Sequence, residues 1–326
     1  MKGIFFSIIL IFIIMFLILF VSINKSLVSY QSSQKSAENR ISAMLGFYDN
    51  VIFDSQKSAD IICKRAMSSA INYITLNGYP LSSVPGSNST IVELMTNGSI
   101  NGIQQDFMND SKIGDWENTI EGLGRQEGFQ TNISIKDIVI QPADSFHLSF
   151  SYSISVNLSD TMTETNLTKT SRQYLLVSIE NFEDPTYPLN TYGRVINIIK
   201  KSPHWLNYSS TDPANLNDDL TNSYYHPSLN GASFLDRLEG KYTVQSKYNI
   251  AAVPIGLESF VSKDKIAYYG LPITTDATNV DYFYFSGSAV TAHSISSPPG
   301  MPSNFKLDNE NTVEGKPHLE IYNAAW

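Results

Sequence analysis

The chain has 326 residues, with 31 acidic against 22 basic side chains for a net charge of −9, and a single cysteine. Such a balance leaves no basic stripe to neutralise phosphates, which excludes a nucleic-acid partner. Cys63 alone excludes an intrachain disulfide framework.

The first predicted element is an apolar helix. Ile4 to Ile23 carries neither charge nor proline, and at about 1.5 Å per residue it is about 30 Å long, the thickness of a bilayer core. A secretory signal has a shorter apolar core, roughly 7–15 residues, followed by a small-x-small cleavage site; here Val21-Ser22-Ile23-Asn24-Lys25 follows instead. The pattern predicts a retained transmembrane helix. Lys2 on one flank and Lys25, Lys35 and Arg40 on the other leave the positive-inside rule nearly neutral. Orientation comes from the remainder of the chain, which is acidic, rich in Ser, Thr, Asn, Tyr and Phe, and suited to the outside of a cell. It carries Asn-x-Ser/Thr sequons at Asn88, Asn97, Asn109, Asn132, Asn157, Asn166 and Asn207, candidate N-glycosylation acceptors. The expected arrangement is a cytoplasmic N-terminus with the C-terminal region extracellular.

No proline occurs before Pro80, so the helix is expected to continue. Ala37, Ile41, Leu45, Tyr48 and Ile52, then Ala59, Ile62, Ala66, Ala70 and Tyr73, step by three and four and describe one buried stripe. Asn77-Gly78 supplies a left-handed stop, with Gly46 and Asn50 as candidate breaks. From Tyr79 to Gln130, "VPGSNST" is expected as loop, Thr90–Thr96 as a short helix and "IGDWENTIEGLGRQEGF" as a helix ending in glycines. Gly122, Gly124 and Gly128 miss dinucleotide-loop spacing by one and follow no strand.

In "FHLSFSYSISVNLS", Phe146, Leu148, Phe150, Tyr152, Ile154, Val156 and Leu158 alternate with polar residues, a strand with one buried face. "TNISIKDIVI" before it and "SRQYLLVSI" after it complete an expected antiparallel meander. Phe146, Phe150, Tyr152 and Ile154 should be buried against the helix, while Ser149 and Ser153 face solvent.

Lys2-Gly3 immediately before the apolar run, a long N-terminal helix and a meander together resemble an archaeal type IV pilin-like protein. The motif covers residues 2–25 and the architecture residues 1–180. The sequence departs from the pattern at Ile8, where many pilins carry Glu, and at Ile4, where many archaeal ones carry Gln. In that family a dedicated peptidase cuts after the glycine and the freed helix bundles in a filament core. The resemblance therefore implies Lys2, Gly3 and Ile4 as a processing site, and identical or related helical subunits as partners.

After Asp184, "EDPTYPLNTYG" breaks the pattern. A short helix through Ile196–Ile199, a helical turn or two in "SFLDRLEG", and strands in "YTVQSKY", "GLESFVS", "DYFYFSG" and "HLEIYN" are expected. Asn215 to Asp219 lacks the glycine and glutamate of a calcium loop and reads as a polar loop. Asp308, Glu310, Thr312 and Glu314 read as a solvated turn. His147, His204, His226, His293 and His318 lack zinc-site spacing, and the serine row of the strand lacks a nucleophile elbow.

The expected fold is α+β: residues 1–78 a transmembrane and amphipathic helix, 79–183 an α/β-meander head packed on it, and 184–326 a β-rich C-terminal module. No catalytic residue, cofactor or metal is assigned. The expected function is a membrane-anchored extracellular structural protein, pilin-like or filament-associated. The alternative is a solitary surface binding module, an adhesin or a glycan or substrate receptor, with an anchored hydrolase third. Expected partners are the lipid bilayer, identical or related helical subunits, and an extracellular glycan or surface layer.

Overall fold

The computed structural model describes residues 2–163, 165–245, 248, 253–288, 290–294, 301–310 and 316–324, without the side chains of 2–9, 11, 29, 32 and 33. Helix α1 runs unbroken over Lys2–Asn77, through Gly46 and Asn50. It stops where Gly78 takes a left-handed φ of 73° and donates its N–H to the Ile74 carbonyl at 2.8 Å, closing the last turn.

The membrane-spanning expectation is corrected. Among the described residues no helix is long and apolar enough to cross a membrane.

Two compact units divide the rest. The first comprises residues 1–55, 118–134 and 155–170; the second comprises 56–117, 135–154 and 171–326. The elements in chain order are α2 (Ser87–Asn97), β1 (Ser99–Ile100), β2 (Ile103–Gln104), α3 (Ile113–Gln126), β3 (Phe129–Pro142), β4 (His147–Asp160) and β5 (Asn166–Ser178). Helix α2 begins at Ser87, inside the segment expected as loop. Strands β3, β4 and β5 form one sheet in that order. Connections this short allow only antiparallel pairing.

In the first unit, Met44, Tyr48 and Val51 of α1 are buried, as are Ile120, Phe129, Ile133, Val156 and Leu158. The expected stripe holds in part: Tyr48 is buried and Ala37 and Ile52 are half-buried, while Ile41 and Leu45 are exposed and Met44 and Val51 are buried instead, because steps of three and four allow either neighbour until a packing partner selects one. Phe47 meets Phe129 with ring centroids 5.8 Å apart. Arg40 lies over the Phe129 ring at 4.6 Å and pairs with Asp160 at 2.5 Å. That hydrogen bond, with one from Thr163, holds the Asp160 carboxyl well below the usual carboxylate range.

Gly124 sits in α3 where a Cβ would overlap Thr131 Oγ1 and approach Phe47 at 3.2 Å. Gly124→Ala should therefore destabilise this unit by about 1–3 kcal/mol as overpacking, despite the better helix propensity of alanine. Urea unfolding would test this; an alanine variant more stable than wild type would show the close approach to be unimportant.

In the second unit, Ala59, Ile62, Ala66, Ala70 and Ile74 of α1 are buried, and Gln56 Nε2 donates to Gln173 Oε1 of β5 at 2.7 Å. Phe146, Phe150, Tyr152 and Ile154 are all buried, while Ser149 and Ser153 are half-buried. The alternation in β3 does not persist along the strand. Phe129, Thr131 and Ile133 are buried, then Ile140 and Pro142, an odd-to-even switch at Asp137, whose φ is 53°. An extra residue there forms a bulge that turns the strand over.

The expected β-rich C-terminal module is also corrected. Its described residues form short elements: α4 (Thr186–Asn190), α5 (Ala214–Asn222), β6 (Tyr225–Ser228), α6 (Phe234–Leu238), β7 (Gly256–Ser259), α7 (Lys263–Tyr268), α8 (Asp281–Ser286), β8 (Ala292–Ser294), β9 (Lys306–Asp308) and α9 (His318–Ile321). Strand β6 pairs antiparallel with β7, and β8 with β9. "DYFYFSG" and "HLEIYN" are helical rather than extended, since Tyr282 and Tyr322 join one buried cluster with Phe260, Val280 and Phe305 that sets their conformation over aromatic strand propensity. Asn215–Asp219 belongs to α5, not to a loop. The Ile196–Ile199 segment is not helical: Ile198 forms an extended bridge with Glu183.

Candidate functional site

Three sets of residues carry candidate function: the apolar start of α1, the sequons, and a buried polar network invisible in the sequence. Lys2, Gly3 and Ile4 form the first turn of α1, and their side chains lie outside the described residues. Further along, Phe12, Ile13, Ile14, Met15, Phe16 and Leu17 are consecutive and all exposed, Phe16 at 73%. A helix turns about 100° per residue, so consecutive apolar positions surround the axis rather than mark one stripe. The exposure continues through Ile18, Leu19, Phe20, Val21, Leu27 and Val28.

Asn97, Asn109, Asn132, Asn157, Asn166 and Asn207 are exposed, and Asn88 is half-buried in the first turn of α2. Asn132, Asn157 and Asn166 lie one each on β3, β4 and β5. Ser155 and Thr170 share a hydroxyl hydrogen bond at 2.9 Å. Counting by twos along each strand places Asn157 and Asn166 on that same face.

The network sits in the second unit. Its first part centres on Arg237, 1% exposed, carried by α6 behind the Ser233 cap, whose side chain accepts from the Asp236 N–H. Arg237 Nη1 meets Asp184 Oδ2 at 2.5 Å and Asp281 Oδ2 at 2.8 Å. Its Nε donates to the Ala232 carbonyl at 3.2 Å and its Nη2 to the Leu257 carbonyl. Two carboxylates on one guanidinium leave excess negative charge, met by the Tyr225 hydroxyl on Asp184 at 2.9 Å and the Ser259 hydroxyl on Asp281 at 2.8 Å. Burial alone would lower the Arg237 pKa; the two carboxylates outweigh it and raise it.

The second part is a chain of hydrogen bonds. His318 meets Asp308 through Nδ1 at 2.7 Å, and through Nε2 it meets Tyr282 Oη at 2.9 Å and Glu258 Oε2 at 3.3 Å. Tyr322 donates to Glu258 Oε1 and meets His226 Nδ1 at 3.1 Å. His226 Nε2 lies 3.0 Å from Asp219 Oδ2, which also accepts from Tyr208 at 2.6 Å. Trp205 stacks on His226 with ring centroids 5.3 Å apart. Burial would lower the His318 pKa; Glu258 and Asp308 overcome it and raise it to about 10, so this histidine is an imidazolium at neutral pH. Burial would raise the Glu258 pKa, and the imidazolium instead holds it below the usual range.

Asp219 and Asp308 are thus fully buried, not solvated. Thr312 and Glu314 of the second oxygen series lie outside the described residues. Among the described residues no group of three His, Cys, Asp or Glu is placed to hold a metal ion, since His318 stands between its carboxylates instead of beside them. Among the described residues this hydrogen-bonded chain offers no open position at Glu258 or His318. Both Glu258 oxygens and both His318 nitrogens are engaged, and the recess beside Glu258, bounded by Trp205, Asn230 and Ile321, is only about 10 Å³, one water at most. It acts as a polar core.

Sequence reasoning did not single out Arg237, whose partners Asp184 and Asp281 lie 53 and 44 residues away, and named His318 and Asp308 without pairing them or joining them to Glu258, 60 residues from His318. Comparisons with family models, curated proteins and solved structures find no match.

Proposed function

We propose that this chain is a subunit of a pilin-like surface assembly, in which the N-terminal segments of α1 from identical chains bundle and the remainder of each chain is displayed. One observation carries the reading: the large apolar side chains from Phe12 to Val28 surround the helix and are exposed. Apolar surface on this scale, at about 25 cal/mol per Å², requires a cover. Because it encircles the axis, a single flat partner leaves most of it wet, whereas several parallel copies enclose it. Lys2-Gly3 at the start of the helix supports the same reading through its resemblance to a prepilin cleavage signature.

The bulky Ile, Phe and Leu side chains hold neighbouring backbones apart, since small residues are what permit close approach. Association then rests on the area covered. Protein isolated from its own cells should begin at Ile4 and sediment as a multimer. Phe12→Ser combined with Phe16→Ser should shift it towards monomer. Native protein that begins at Met1 and is extracted as a monomer would sink the assembly.

A further inference from the structure

The second unit holds a cleft of about 340 Å³ that none of the elements above explains, within the size range of small-molecule sites, roughly 300–1,000 Å³. One wall is a stripe of α1: Ser68, Ile71, Asn72 and Thr75, spaced i, i+3, i+4 and i+7 and therefore on one helix face. Unlike the Ala59–Ala70 stripe, this face is mostly polar. The facing wall is Asn181, Phe182 and Glu183, with Phe107 and Ile196 at the sides.

That second wall is held in place. Asn181 has a left-handed φ of 70°, uncommon for a residue with a side chain. Its N–H donates to the Ile199 carbonyl at 2.8 Å, and the Ile199 N–H returns to the Phe182 carbonyl at 2.8 Å. Phe107 is half exposed, while the Phe182 ring is backed by Phe234 with centroids 6.3 Å apart.

Polar side chains elsewhere in the interior of this unit are generally bonded to one another. In the cleft they are not: among the described residues, no hydrogen bond from the side chains of Ser68, Asn72, Thr75, Asn181 or Glu183 is formed, and Thr75 Oγ1 is buried without a partner. A buried hydroxyl left unpaired costs about 1–3 kcal/mol, and Thr75 lies beside the half-buried Ser68, Asn72 and Glu183 and the exposed Asn181, polar groups that a ligand in the cleft can reach. No Lys, Arg or His lines it, so it is not built for phosphate or carboxylate ligands. Its lining mixes Ile71, Phe107, Phe182 and Ile196 with the polar side chains, so it offers an apolar face and hydrogen-bonding groups together. Amides that both donate and accept, a carboxylate that accepts, and hydroxyls that do either, set between two phenyl rings, match a ligand with equatorial hydroxyls and an apolar C–H face.

We propose that this cleft is a carbohydrate-binding site that takes a neutral pyranose. Asn72, Asn181 and Glu183 hydrogen-bond its hydroxyls, and Phe107 covers its C–H face. The proposal does not depend on self-assembly.

The test uses the full chain held in a sugar-free detergent, with methyl glucoside, methyl mannoside, methyl galactoside and N-acetylglucosamine as probes at about 10 mM, the weak range usual for single-sugar contacts. Saturation-transfer NMR should show transfer to the ring C–H protons of at least one probe. Phe107→Ala and Asn72→Ala, each with an unchanged circular dichroism spectrum, should weaken that probe by about tenfold, the loss of one good contact. Phe53→Ala, at an exposed position of α1 in the first unit, should leave it unchanged. Absence of transfer from all four probes, transfer equal in Phe107→Ala, or preferential binding of inorganic phosphate or a fatty acid would each overturn it.

Discussion

Arg237→Met is expected to lower stability by about 3–5 kcal/mol, because it leaves two buried carboxylates without their counter-charge. Asp184 and Asp281 are fully buried and both meet Arg237 Nη1. The methionine fills the volume, so the loss is electrostatic and not a cavity. The Leu257 carbonyl also loses the Arg237 donor, adding about 1–3 kcal/mol if left unpaired, whereas the Ala232 carbonyl keeps the Leu257 N–H at 3.0 Å. Urea unfolding of the second unit, followed by tryptophan fluorescence, should show a lower midpoint with an unchanged slope. The triple variant Arg237→Met, Asp184→Asn, Asp281→Asn should recover most of the loss, since replacing a whole buried ionic cluster with uncharged groups is far less costly than breaking it. A single variant within about 1 kcal/mol of wild type would mean that the cluster is not load sharing.

What was legible in the sequence follows from the range of the interactions. The absence of proline before Pro80 and the glycine at position 78 are local signals, and α1 ends where they place it. The alternation in β4 is local too, and every apolar member from Phe146 to Leu158 is buried. Membrane crossing is an expectation from the apolar run alone, and among the described residues no helix is long and apolar enough to cross a membrane. Within the stripe from Ala37 to Ile52, Tyr48 is buried as expected but Met44 and Val51 replace Ile41 and Leu45, because periodicity alone defines a band about 100° wide and tertiary packing chooses the residues within it. "DYFYFSG" illustrates the limit of propensity. Its aromatics suit a strand, yet Asp281 must reach Arg237 and Tyr282 must reach His318, which a helical turn allows. The cleft between Asn72 and Asn181 joins residues more than a hundred positions apart, and no spacing rule connects them.

His318 should give the second unit a pH profile that one substitution isolates. Its folded pKa, about 10, lies above the ordinary 6.5. A raised pKa means that the native state holds the proton more tightly than the unfolded chain does. The stabilisation is therefore fully present below about pH 6.5 and is lost as pH rises towards 10. Glu258 and Asp219 behave in the opposite sense: their folded pKa values are lowered, so their contributions hold above the ordinary carboxylate range and fade as acid is added. Wild-type stability should peak near pH 5–6.5 and fall on both sides. His318→Gln retains a donor and an acceptor but no charge. At pH 6 it should cost about 3–5 kcal/mol, because Glu258 and Asp308 then share a buried site without a cation. Between pH 6.5 and 9.5 the gap between the two proteins should shrink by several kcal/mol, at 1.36 kcal/mol per unit of differential pKa. Tyrosine ionisation in the unfolded chain, with a pKa of about 10, is common to both proteins and cancels in the gap. The measurement is urea unfolding at half-unit pH steps for both proteins. Parallel curves across that window would show that His318 carries no proton that folding depends on, and would return the Glu258–His318–Asp308 cluster to an ordinary set of neutral hydrogen bonds.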